Sequence, residues 1–149
     1  VAFLLDVNVL IARIDPRHEH HERVIRWEHD NASERLVTCP LTQNGFVRIY
    51  GHPGYPDGPG SPAEALVELR HLLNLRTHQF IADSVSLSDT TVFGPLAGTT
   101  PKQLTDVYLL GLAVSEGIYF ATTDSRVYHE AVIGGEKGLH VIPPSRQAG

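Results

Sequence analysis

Three aspartates stand where carboxylates can do chemistry. Asp6 directly follows the apolar run Val1-Ala2-Phe3-Leu4-Leu5, and Asp124 follows Ile118-Tyr119-Phe120-Ala121 after the polar step Thr122-Thr123. Apolar runs this short do not span a membrane and read as strands buried in a parallel sheet. Open α/β sheets bind ligands beyond the carboxyl ends of their strands, so the two acids share one edge. Asp106 lies at the start of the helix leading into the second strand, on that same edge. Alone, it is a first-turn carboxylate favoured by the helix dipole by roughly 0.3–1 kcal/mol. Together the three repel, and a proton or a cation must relieve them. Mg²⁺ and Mn²⁺ take oxygen ligands and keep several waters, so two or three carboxylates suffice. Such a metal polarises a phosphoryl oxygen and activates its bound water for in-line attack.

The elements that position these acids follow from the apolar pattern. A short helix runs from the end of the first strand to Ile14, and residues 18–31 form a helix whose stripe is Val24, Ile25 and Trp27. Arg35-Leu36-Val37-Thr38 is a strand, and Pro40 opens a helix with Leu41, Phe46, Val47 and Ile49 on its apolar face. Residues 51–60, rich in proline and glycine, read as a surface loop with nothing to bury. Ser61-Pro62-Ala63-Glu64 is a capped helix start, and that helix reaches about Leu75. Gln79-Phe80-Ile81-Ala82 is a third strand, and residues 88–96 are expected to form a short helix. Residues 104–116 form the clearest helix, stopped by Gly117, and Leu139-His140-Val141-Ile142 is the last strand. Strands alternating with helices predict an α/β fold, a three-layer α/β/α sandwich around a mainly parallel sheet.

At 149 residues the chain is expected to be one domain, residues 1–149, burying about 70 % of its unfolded surface. Hydrophobic residues make up 42 % and charged residues 19 %, the balance of an ordinary globular protein. One cysteine, Cys39, excludes an intrachain disulfide and a cysteine-based zinc cluster, and is compatible with a reduced, cytoplasmic setting. No segment reads as a transmembrane span or a signal peptide, so no membrane partner is expected. The chain has no methionine, so Val1 is either a non-standard start or a trimmed end. A net charge of −5 argues against a protein that blankets nucleic acid. It leaves room for a nuclease with a local arginine cluster.

Four segments, in order, resemble the motifs of PIN-domain ribonucleases, particularly the VapC-type toxins of bacterial type II toxin–antitoxin systems. They are Leu4-Leu5-Asp6-Val7-Asn8-Val9-Leu10, Pro40-Leu41-Thr42-Gln43-Asn44-Gly45-Phe46-Val47-Arg48, Leu104-Thr105-Asp106-Val107-Tyr108-Leu109-Leu110 and Ala121-Thr122-Thr123-Asp124. The resemblance implies an endoribonuclease dependent on Mg²⁺ (or Mn²⁺) that hydrolyses structured RNA, tRNA or rRNA. It implies Asp6 and Asp106 as principal metal ligands, with Asp124 completing the acidic site. Asn8 would steady Asp6, and Thr122 or Thr123 would hold a ligand water. The family's second motif usually supplies a further acid, commonly glutamate. Gln43 stands nearest here, so Thr42 and Gln43 are expected to act through hydrogen bonds, at a one-metal site. A cognate VapB-type antitoxin and a homodimer are also expected from the resemblance.

Other residues have two readings each. Arg48 clamps a scissile phosphate or is a solvated helix arginine. Arg13, Arg17, Lys102 and Arg126 touch RNA or are surface charge. His18, His20, His21 and His29 read as a solvated helix face rather than a metal site, and Trp27 as a core anchor. Leu66, Leu69, Leu72 and Leu73 pack the core or form a dimer seam. A haloacid-dehalogenase-like phosphatase would place its nucleophile at Asp6, but Asn8 occupies the position of its acid/base aspartate. A PIN-like module that binds RNA or a partner without cutting is the remaining alternative.

Overall fold

Each of the apolar runs forms a strand in a computed structural model of the chain, which describes residues 1–145. The strands are β1 (Ala2–Leu5), β2 (Arg35–Thr38), β3 (His78–Phe80), β4 (Tyr119–Thr122) and β5 (Leu139–Val141). All pair in parallel, in the order β3-β2-β1-β4-β5. Between β1 and β2 come α1 (Val7–Ile14) and α2 (His21–Asp30), and between β2 and β3 come α3 (Pro40–Tyr50) and α4 (Pro62–Leu73). A 3₁₀ turn (Pro101–Gln103) leads into α5 (Leu104–Ser115), and a short α6 (Gly135–Gly138) precedes β5.

Alternation along β1 divides the core in two. Phe3 and Leu5 pack with α1–α4 on one face, while Leu4 packs with α5 on the other. The result is the expected three-layer α/β sandwich. From β1 the chain first builds outward through β2 and β3, then crosses back to add β4 and β5 on the other side. The order of strand addition therefore reverses between β1 and β4, and the crevice beyond their carboxyl ends is where such sheets bind ligands.

Trp27 is the core anchor expected of it. Its ring meets Phe3 edge-on at 5.0 Å, and its Nε1 donates to His140 Nε2 at 3.0 Å. Burial holds the His140 imidazole below its usual pKa, in the neutral form that can accept that proton. Leu69 and Leu72 are buried, and Leu66 and Leu73 pack against the same core, so the α4 leucines are accounted for inside the fold.

Residues 88–96 are not helical. Asp89 Oδ1 accepts from the amide and hydroxyl of Thr91, and Ser86 Oγ accepts from the Ser88 amide. One helical turn forms, with the Phe93 amide donating to Asp89 O at 2.9 Å. The Gly94 amide then donates to Ala131 O and Val92 O accepts from the Ile133 amide, an antiparallel bridge at Phe93 and Val132 that ends the turn. The segment instead carries Phe93 onto α5, where the ring covers Gly111 so closely that a Cβ there would lie 2.3 Å from it. Residues 51–60 do bury something: Tyr55 packs against the core of the α1–α4 layer.

Candidate active site

Asp6 is placed by both elements it joins. Its amide donates to Ala121 O at 3.0 Å, extending the β1–β4 ladder by one step, and its residue caps α1. The carboxylate is 5 % exposed and accepts from Thr122 Oγ1 at 2.8 Å. Burial pushes its pKa up. The Thr122 hydroxyl and the nearby amides of Asn8 and Val7 oppose that shift, and Asp124 adds to it. Thr122 is itself fully buried, and its hydroxyl also accepts from the Asp124 amide at 3.1 Å. One threonine thus ties the ends of the two central strands together.

Asp124 sits in a different field. Burial pushes its carboxyl up, but Arg126 outweighs this through its amide at 2.8 Å and Nε at 3.1 Å, with help from Lys102. The net effect holds Asp124 below the usual carboxylate range, as an anion. Asp106 reaches the same cleft from the first turn of α5. Its pKa is pushed up to about 7 by burial, then by repulsion from Asp6 and Asp124.

These three carboxylates line one cleft of about 540 Å³, which also receives Arg48, Lys102 and Arg126. Three carboxylates, two arginines and a lysine lining one cleft suit a divalent cation and the phosphates it would engage. No three His, Cys, Asp or Glu side chains among the described residues are arranged to enclose a metal ion by themselves. The donor set still fits Mg²⁺ or Mn²⁺, because it is all oxygen and these ions complete their shells with water. Three carboxylates gathered in one cleft are the observation that favours a cation at this point.

The other expected residues divide. Asn8 is exposed on the cleft wall, and its amide rather than its side chain acts on Asp6. Arg48 lines the cleft as expected. Thr42 and Gln43 do not line it. Thr42 is buried at the start of α3, where its hydroxyl exchanges hydrogen bonds with the Cys39 amide and carbonyl. Gln43 Nε2 turns away to donate to Thr38 Oγ1 at 3.0 Å. Asn44, one residue on, lines the cleft instead, together with Thr105 and Gln103. Gly45 lets α3 come this near: a Cβ there would lie 2.8 Å from Val7 Cγ2 on α1. Thr123 faces a neighbouring polar depression rather than the cleft.

Two of the surface cations are engaged structurally. Arg13 makes a two-pronged pair with Glu28 at 3.0 and 2.8 Å, joining α1 to α2, and Arg17 pairs with Asp57. The histidines are not a metal cluster. His21 Nδ1 donates to Ala12 O at 2.6 Å, and His18 Nδ1 accepts from the His20 amide at 3.1 Å.

No family model matches the chain. It is 41 % identical to ribonuclease VapC44 of Mycobacterium tuberculosis over 90 % of its own length and 94 % of that protein. With ribonuclease VapC38 of the same organism the identity is 40 %, over 84 % and 86 % of the two chains. A crystal structure of VapBC2 from Rickettsia felis, bound to a DNA fragment from its promoter, superposes with a TM-score of 0.56. That match covers 88 % of this chain and 93 % of the other at 12 % identity, a likeness of fold. No helix among the described residues is long and apolar enough to cross a membrane. The order of the strands, the acids at their carboxyl ends and identity sustained over almost the whole length agree: this chain belongs to the VapC ribonuclease family.

Proposed function

We propose that the chain, as a single nuclease domain over residues 1–149, is the toxin of a toxin–antitoxin pair and an endoribonuclease acting on structured RNA. The observation that carries the reading is the meeting of Asp6, Asp106 and Asp124 in one cleft rimmed by Arg48, Lys102 and Arg126. Asp6 and Asp106 would hold Mg²⁺ or Mn²⁺, with Asp124 beside them. A cation bound there supplies positive charge against the phosphate and activates water for attack. The residues of the chain do the rest. Thr122 fixes the Asp6 carboxylate, Arg126 keeps Asp124 ionised, and Arg48 and Lys102 offer donors to the phosphates on either side of the cut.

Incubating the protein with tRNA and rRNA fragments should yield discrete products with Mg²⁺ or Mn²⁺ and none with chelator. Cleavage that persists in chelator would sink the metal-dependent reading. Binding without cleavage under every metal condition would support the non-catalytic module instead. A phosphatase reading gains nothing from the geometry, since position 8 is an exposed asparagine.

By the same reading, the chain acts as a homodimer, and a VapB-type antitoxin covers the cleft, the VapBC2 complex being a structural relative. An arginine from such a partner would complement the acids as the cation does. Expression without the partner should arrest growth, and co-expression should restore it. Unimpeded growth with abundant folded protein would count against the toxin role.

A further inference from the structure

Two further depressions adjoin the candidate active site. One, of about 420 Å³, shares Asn8, Asp124 and Arg126 with it and has polar walls that include His18, His20 and Thr123. The other, of about 390 Å³, shares Arg48 and Ile49 with it and is mostly apolar, completed by His52, Tyr55 and Pro56.

The apolar groove is built, not a chance gap in a loop. The Tyr55 hydroxyl donates to the buried Asp15 Oδ2 at 2.6 Å, and its ring meets Tyr50 edge-on at 5.0 Å. The Tyr55 amide donates to His52 O at 2.9 Å. His52 Nδ1 accepts from the Gly54 amide at 2.8 Å, which orients the ring and leaves the proton on Nε2. The pair between Arg17 and Asp57 ties the far side of the loop to the turn between α1 and α2. Ile49 is 38 % exposed beside this platform although it is a large aliphatic side chain.

Resting on the ribonuclease reading above, we infer that this groove is a nucleobase subsite. An unpaired base next to the scissile phosphate stacks against Ile49 and His52, while Arg48 holds the intervening phosphate. The continuity of groove and cleft through Arg48 and Ile49 selects this occupant. A strand whose phosphate lies over the carboxylates must put a flanking nucleotide somewhere close by, and a base has two apolar faces to bury. The polar depression offers no comparable wall. Stacking on a preformed platform tolerates any base, so the subsite contributes affinity for unpaired RNA more than sequence choice.

The test is binding, measured by fluorescence anisotropy in the uncleaving Asp6→Asn chain. The two probes are a labelled twelve-nucleotide single-stranded RNA of mixed sequence and an abasic ribose-phosphate oligomer of the same length. Ile49→Ala and His52→Ala should each weaken the base-bearing RNA about tenfold, within the range for loss of one stacked base, and leave the abasic oligomer unchanged. Arg48→Ala should weaken both. Thermal melts of the exposed-site variants should match the parent, showing that folding is intact. Equal losses on both oligomers, or no loss on either, would overturn the subsite and leave the groove to a protein partner. Because cleavage is measured separately in the unsubstituted chain, the subsite can fail while the nuclease reading stands.

Discussion

Asp6→Asn should lower RNA cleavage by about a thousandfold or more while leaving the thermal midpoint unchanged or slightly raised. The loss follows from chemistry: the residue at the sheet's reversal point would no longer carry the charge that attracts a cation. Removing a single group that stabilises charge in a transition state costs roughly 10²–10³, and a principal metal ligand does more than that. The intact fold follows from geometry. Asparagine keeps an oxygen where Thr122 Oγ1 donates at 2.8 Å, and its backbone amide still reaches Ala121 O. Burying a neutral amide in place of a carboxylate also removes a desolvation penalty at a position 5 % exposed. Cleavage of tRNA and rRNA fragments, read beside a melting curve of the same sample, separates the two effects. Wild-type cleavage by the variant would remove Asp6 from the chemistry. Lost cleavage together with a collapsed melting curve would assign it a structural role.

Much of this site is legible in the residues because strand ends are. Asp6 and Asp124 each follow an apolar run, and a parallel sheet has only one carboxyl edge, so their convergence needs no tertiary knowledge. Asp106 joins them because its helix begins at that edge. Position 43 is less tractable. The start of α3 at Pro40 is readable, but successive helix residues point about 100° apart. Which of Gln43 and Asn44 faces the cleft is decided by how α3 rolls against α1. That roll is set where Gly45 meets Val7, a contact between elements far apart in sequence. The loop at residues 51–60 departs from its expected role for a related reason. Its composition says turn, whereas its order comes from Tyr55 reaching Asp15, forty residues back. Residues 88–96 carry enough apolar residues for a helix, yet Val92 and Gly94 bond to residues 131–133, far along the chain, and the turn stops there.

Asp106→Asn is expected to abolish cleavage and, in metal-free protein at pH 8, to stabilise the fold. Here the acid is worse than neutral for the polypeptide. Burial, and then Asp6 from the end of β1 and Asp124 from beyond β4, push its pKa up to about 7, from an ordinary value of 3.8. The folded state therefore holds a proton that the unfolded chain releases between those two values. Linkage fixes the sign: where the native state binds more protons, stability falls as pH rises. Metal-free protein should lose stability from about pH 4 up to pH 7 through this residue and then level off. A tenfold difference in proton affinity between the two states corresponds to about 1.4 kcal/mol. Because Asp106 is partly open to water, a gain on the order of 2 kcal/mol is the reasonable size. That is roughly 5 °C in a domain of this length. At pH 4 the variant and the parent should melt together, since both then carry a neutral group. Adding Mg²⁺ at pH 8 should raise the parent toward the variant and leave the variant nearly unmoved, because the variant lacks one of the two carboxylates that would hold the cation. A variant less stable than the parent at pH 8 would mean that Asp106 is held by partners that want its charge. The carboxylates would then be a structural cluster, not a site poised for a cation.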